Sequence, residues 1–138
     1  MSANLELVRS IYADWERGDL SRSDWADPEI EYVEVGGVEP GTWKGLTAIA
    51  ERWLNFLGAW NDFRVTAEEY RELDDERVLV LVHLSGRGRT SGLDLEQMSA
   101  KTAHLIQSRH GKVTGMVFYY DRDHAFADLG LTADGESP

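Results

Sequence analysis

The 138-residue sequence contains no cysteine. That absence excludes a disulfide framework and thiolate chemistry together. No apolar run approaches the roughly 20 residues of a membrane-spanning helix, and the opening "MSANLELVRS" lacks the apolar region of a signal peptide. The expectation is a cytoplasmic chain with no membrane partner. Basic residues are scarce as well: 14 Lys and Arg stand against 25 Asp and Glu, a formal net charge of −11. A field of that sign repels phosphate backbones and anionic lipid surfaces, so nucleic acid is not expected as a partner either.

What is present is a globular composition, with 42% hydrophobic and 28% charged residues, in a length suited to one core. The reading is a single domain over 1–138, ordered from about 4 to 131, with a frayed tail at 132–138. Five tryptophans suggest a chain that lines a core, an apolar ligand pocket, or both with large aromatics.

Periodicity divides the chain in two. Leu5, Val8, Tyr12 and Trp15 mark one face of a helix over 4–17, stopped by Gly18-Asp19. A short second helix is expected over "LSRSDWA", ended by Asp27-Pro28, before a strand at 29–35. "GGVEPGTWKG" reads as a loop, and "LTAIAERWLNFLGAW" as an apolar helix carrying Ile49, Trp53, Phe56, Leu57 and Trp60. From residue 62 the period becomes that of strands: "DFRVTAEEYREL", "RVLVLVHLSGRGR", "LEQMSAKTAHLIQSR" and "KVTGMVFYY". The short connections "DDE", "TSG" and "HG" imply consecutive antiparallel hairpins. "DRDHAFADLGL" closes the chain as a helix with Asp121 as its N-cap. The fold class is α+β: a curved antiparallel sheet forming a cone, with helices packed on its concave face around a cavity.

Against that frame some polar residues stand out. Alternation in "EIEYVEV" puts Glu34 on the same side as Ile30 and Tyr32. Either its carboxylate ends the strand in solvent, or it faces the cavity as a general base with a pKa raised by desolvation. His104 shares a face with Ala100, Thr102, Ile106 and Ser108. It is either a satisfied core histidine or a hydrogen-bond donor to a developing oxyanion. His83 alternates with Leu79 and Leu81 and is expected to point into the same cavity. One carboxylate and two histidines match the composition of a non-haem iron site, but three separate strands supply them without local ligand spacing. No metal and no cofactor are therefore expected. Tyr12, Trp15, Tyr32, Trp53, Met116, Phe118 and Tyr120 complete the expected lining. Leu105, Val113 and Val117 are read as pointing outward, and exposed apolar residues there imply a homodimer.

"YADWERGDL", "GTWKGLTAIAERW" and "HGKVTGMVFYYDRDHAFADLGL", in this order, resemble the SnoaL-like, or nuclear transport factor 2-like, superfamily over about residues 4–131. Within it, Glu34 falls where ketosteroid isomerases carry their proton-abstracting aspartate, and His104 where they carry an oxyanion-stabilising aspartic acid. Ile11 occupies the place of their oxyanion tyrosine, with Tyr12 beside it. Limonene epoxide hydrolases share "GKVTG" and "YYD", but Phe118 stands where their catalytic aspartate lies, and His83 and Ser85 near their arginine and aspartate. The resemblance implies an isomerase-, cyclase- or dehydratase-type enzyme moving a proton next to a carbonyl of a hydrophobic cyclic substrate. The alternative is a non-catalytic ligand-binding or dimerisation module of the same fold, since fold alone does not decide chemistry.

Overall fold

The structure is a computed structural model that describes residues 3–19, 22–36, 40–58, 60–88 and 97–131. In chain order it runs α1 (Ala3–Glu16), β1 (Ala26–Val35), β2 (Gly41–Lys44), α2 (Leu46–Gly58), β3 (Trp60–Glu72), β4 (Arg77–Gly88), β5 (Gln97–Arg109), β6 (Lys112–Tyr119) and α3 (Arg122–Leu129). The six strands form one sheet in the order β2-β1-β6-β5-β4-β3. This is the expected α+β architecture with one difference: the sheet is mixed, because β1 runs parallel to β6. No helix among the described residues is long and apolar enough to cross a membrane.

α1 forms as its spacing dictates. Val8, Ile11, Tyr12 and Trp15 are buried on one face, and Gly18 ends the helix in the left-handed region, where a glycine carries no Cβ penalty. The hairpin β5–β6 turns on His110 and Gly111, both with positive φ, the two-residue geometry whose twist matches that of the strands. Asp121 caps α3 as expected, its side chain accepting from the backbone N–H of Asp123.

Several expectations are corrected. The second helix is absent from the described part of its span: residues 24–25 form a turn and β1 already begins at Ala26. Pro28 does not end a helix there; it lies in the irregularity of β1 between the paired residues Ala26 and Glu31, a position where a missing N–H costs the ladder nothing. The stretch read as a loop contains β2, paired with β1 through Glu31–Lys44 to Glu34–Gly41. α2 stops at Gly58, and Trp60 opens β3. The "TSG" connection and the tail at 132–138 lie outside the described residues.

The sheet has two covered faces. On the inner face Val78, Val80, Val82, Leu84, Ile106, Val113 and Met116 pack under α1 and α2. On the outer face Leu79, Leu81, Ala103, Leu105 and Tyr119 pack with Ala125 and Phe126 of α3. Leu105 thus points outward as expected, with α3 of its own chain as the cover. Val117 joins the same outer cluster. Val113 is a correction: it is fully buried in the inner core. A register shift opposite Gln107 and Ser108 leaves Thr114 as an extra residue in β6, and one extra residue flips the facing of what precedes it.

Candidate functional site

Strand register builds the site. Glu34 on β1 is the parallel partner of Phe118 on β6, and Phe118 is the antiparallel partner of His104 on β5. Three adjacent strands therefore present Glu34, Phe118 and His104 side by side on the inner face. At the usual strand spacing the backbones of Glu34 and His104 stand about 10 Å apart. Above this row α1 and α2 supply Trp15, Trp53 and Leu57, and together they line one pocket.

Its walls are aromatic and closely ordered. Phe118 stacks on the His104 ring at 3.6 Å between centroids and 9° between planes. Tyr32 meets Phe118 edge-on at 4.8 Å and Trp53 edge-on at 5.6 Å. Trp53 and Phe118 face each other 16° from parallel at 6.3 Å. Edge-to-face pairs of this kind contribute about 0.5–1.5 kcal/mol each beyond area burial, which holds the lining in one arrangement.

Glu34 is not a solvated strand end: it is 4% exposed. A buried carboxylate needs partners, and four donors converge on it. Arg52 of α2 donates through Nε to Oε2 at 3.0 Å and through Nη2 to Oε1 at 2.7 Å. Tyr32 donates to Oε2 at 2.7 Å, and Tyr120 reaches Oε1 at 3.4 Å. The fork of a guanidinium fits a carboxylate in this two-point fashion. Burial, with the Glu34 charge second, raises the pKa of Tyr32 and lifts that of Tyr120 to about 12. Both phenols are therefore protonated donors at neutral pH.

His104 is 3% exposed, and burial, with the Arg122 charge second, pushes its pKa down to about 3. The imidazole is neutral at physiological pH. Tyr12 lies 2.7 Å from Nδ1, and Thr102 Oγ1 lies 3.2 Å from Nε2. The Thr102 hydroxyl hydrogen goes to the Val82 carbonyl at 3.2 Å, which leaves its oxygen to accept from Nε2–H. Nδ1 then accepts from the Tyr12 hydroxyl. Ile11, at the place of the isomerases' tyrosine, is simply core, while its neighbour Tyr12 brings a hydroxyl to the histidine.

Of the residues expected at the site, Trp15, Tyr32, Glu34, Trp53, His104, Phe118 and Tyr120 share the pocket. Tyr12 and Met116 are buried beneath it in the inner core. His83 is the correction. It is half-buried opposite Lys101 and Thr66 and shares the outer face with Leu79 and Leu81, across the sheet from the pocket. The sequence pattern assigns no role to Arg52 and places Thr102 only as a neighbour of His104. The signal for Arg52 was its place beside Trp53 and one turn after Ile49, at the margin of a buried helix face. Among the described residues no group of three or more His, Cys, Asp or Glu is arranged to hold a metal ion.

No protein-family model and no curated protein matches the sequence. Solved structures do match. An NTF2-like protein of unknown function from Burkholderia pseudomallei superposes with a TM-score of 0.75 at 19% identity, over 92% of this chain and 97% of the other. TerC, co-crystallised with polyporic acid, superposes at 0.69 with 25% identity, over 93% and 98%. A SnoaL-like protein from Jannaschia sp. CCS1 bearing a polyketide cyclase name superposes at 0.71 with 14% identity, over 94% and 90%. The chain has the NTF2-like, SnoaL-like fold.

Proposed function

We propose that the pocket binds a hydrophobic, ring-bearing small molecule with a carbonyl group and moves a proton on the carbon next to it. The observation that carries this reading is that Glu34 and His104, from β1 and β5, line one pocket whose remaining walls are largely aromatic. That TerC, similar in fold, was co-crystallised with polyporic acid supports a small organic ligand for this chain. Glu34 takes the proton from carbon, and the electron pair moves onto the carbonyl oxygen. His104, neutral, donates Nε2–H to that oxygen as negative charge grows there, exchanging Thr102 for the ligand. Arg52 orients the carboxylate and, in the same contact, competes for its lone pairs. The proton returns from Glu34 to the same or another carbon, so the cycle balances with no cofactor.

The test is proton exchange in D₂O, followed by ¹H NMR over a panel of enolisable cyclic ketones. Exchange catalysed by the parent protein is expected to fall about 10²–10⁴-fold in Glu34→Gln and about 10²–10³-fold in His104→Ala. A near-parental rate in Glu34→Gln contradicts the role given to Glu34.

A second reading is a binding module of the same fold without turnover. It is favoured by the internal engagement of both residues, Glu34 by Arg52 and two phenols and His104 by Tyr12 and Thr102. Binding of such ketones with no exchange in any of them selects this reading. The proposal includes a homodimer through the outer sheet face at Val117, which is only partly buried there; sedimentation as monomer alone at micromolar concentration contradicts it.

A further inference from the structure

His104 has two nitrogens, one hydrogen when neutral, and buried partners on both sides. Which nitrogen carries the hydrogen decides whether the ring can donate into the pocket. Thr102 is 1% exposed, lines the pocket beside His104, and is the partner of Nε2 at 3.2 Å. Its single hydrogen is committed to Val82 O across the strand pair, so toward His104 it can only accept. Tyr12, on the other side, has a hydroxyl that can donate or accept and adapts to either tautomer.

The backbone around Thr102 is held independently. From the outer face Arg122 donates through Nε to the Thr102 carbonyl at 3.0 Å and through Nη2 to the Val82 carbonyl at 3.2 Å. The same Nη2 is anchored on Glu68 at 2.7 Å. The guanidinium thus pins the two residues, one on β4 and one on β5, that face each other in the ladder. Thr102 cannot readily rotate away without loosening an arrangement tied from both faces of the sheet.

We propose that Thr102 is a positioning residue that holds His104 as the Nε2–H tautomer, keeping its hydrogen at the pocket wall, where a ligand oxygen can take it over. The catalytic use of that hydrogen rests on the reading of His104 as oxyanion donor. The tautomer itself does not, and it can be measured without any substrate.

The measurement is long-range ¹H–¹⁵N NMR of the full chain labelled with ¹⁵N-histidine at neutral pH. The parent protein is expected to show His104 with a protonated Nε2 and an unprotonated Nδ1. Thr102→Val keeps the shape but removes the acceptor, while Arg122 still bonds the Val82 carbonyl. The ratio of Nε2–H to Nδ1–H is expected to fall on the order of tenfold, the factor that one ordinary hydrogen bond controls. Thr102→Ser is expected to restore the parental ratio. A variant with Tyr12→Phe, which leaves Thr102 in place, is expected to retain the Nε2–H tautomer, and it decides the matter should Thr102→Val not fold. An Nδ1–H tautomer in the parent, an unchanged ratio in Thr102→Val, or loss of Nε2–H in Tyr12→Phe overturns the proposal. With an exchanging ketone in hand, Thr102→Val is expected to lower kcat more than it raises KM. If the NMR pattern holds and no exchange exists, Thr102 still positions His104 and only the catalytic reading fails.

Discussion

β4 and β5 each send alternate residues to two faces, and the two faces differ in kind. Outward they give Leu79, Leu81, Ala103 and Leu105, sealed by Ala125 and Phe126 of α3. Inward they give Val80, Val82 and Leu84, but also Thr102 and His104, with Glu34 added from β1. Under α3 the outer face is what hydrophobic burial alone produces. The inner face departs from it at the residues that line the pocket, and each departure is compensated by named partners: Arg52 and two tyrosines for Glu34, Tyr12 and Thr102 for His104. Side chains of that cost, gathered on one face and in one pocket, are the reason the proposed function is placed on the inner face.

The comparison is broken most sharply at the ion pair. Arg52→Met leaves the Glu34 charge buried without its cation and is expected to cost about 3–5 kcal/mol in urea unfolding. Replacing both partners, as Arg52→Met with Glu34→Leu, is expected to recover most of that loss, because the isolated charge and not the absent bond is the expensive state. A double variant as unstable as the single one would mean that the pair itself holds the fold together.

On the outer face, Leu105→Ala removes apolar volume under α3 and is expected to cost about 2–5 kcal/mol. It should leave ligand exchange unchanged wherever the protein is folded. A large loss of exchange without loss of structure would show that the two faces are coupled.

The third test uses pH. The His104 pKa lies near 3 in the folded chain against 6.5 as reference. Between those values the unfolded chain binds a proton that the native chain does not. Stability therefore rises with pH across that window and falls as pH drops below about 6.5. From pH 7 to 5 the loss from this one group is expected to reach about 2 kcal/mol, and His104→Gln should flatten it. Urea midpoints of both proteins at the two pH values check this. An equal slope in the variant would mean that the inner face carries no buried neutral histidine.

The same two-faced cover explains what the sequence could and could not reveal. Helices α1 and α2 and the inward turn of Glu34 are legible from a clear period, and the strands from residue 60 from the change of that period and the short turns between them. "VLVLV" before His83 has no polar alternation, since β4 is covered on both sides. Nothing in that run tells inside from outside, and the expectation for His83 falls on the face opposite the one it shares with Leu79 and Leu81. Val113 was lost to the extra residue Thr114, which shifts the facing without any mark in composition. The parallel β1–β6 pair joins residues about 85 positions apart, beyond the reach of local pattern. Arg52 hid on a helix read for its apolar residues.

The most direct measurement of the inner face as the functional one is a ¹H–¹⁵N chemical-shift titration with an enolisable cyclic ketone that binds. Perturbations are expected to cluster at Glu34, Trp53, Thr102, His104, Phe118 and Tyr120, while Leu79, Leu105 and Phe126 stay silent. Perturbations centred under α3, with the pocket residues unmoved, would contradict the assignment of function to this face.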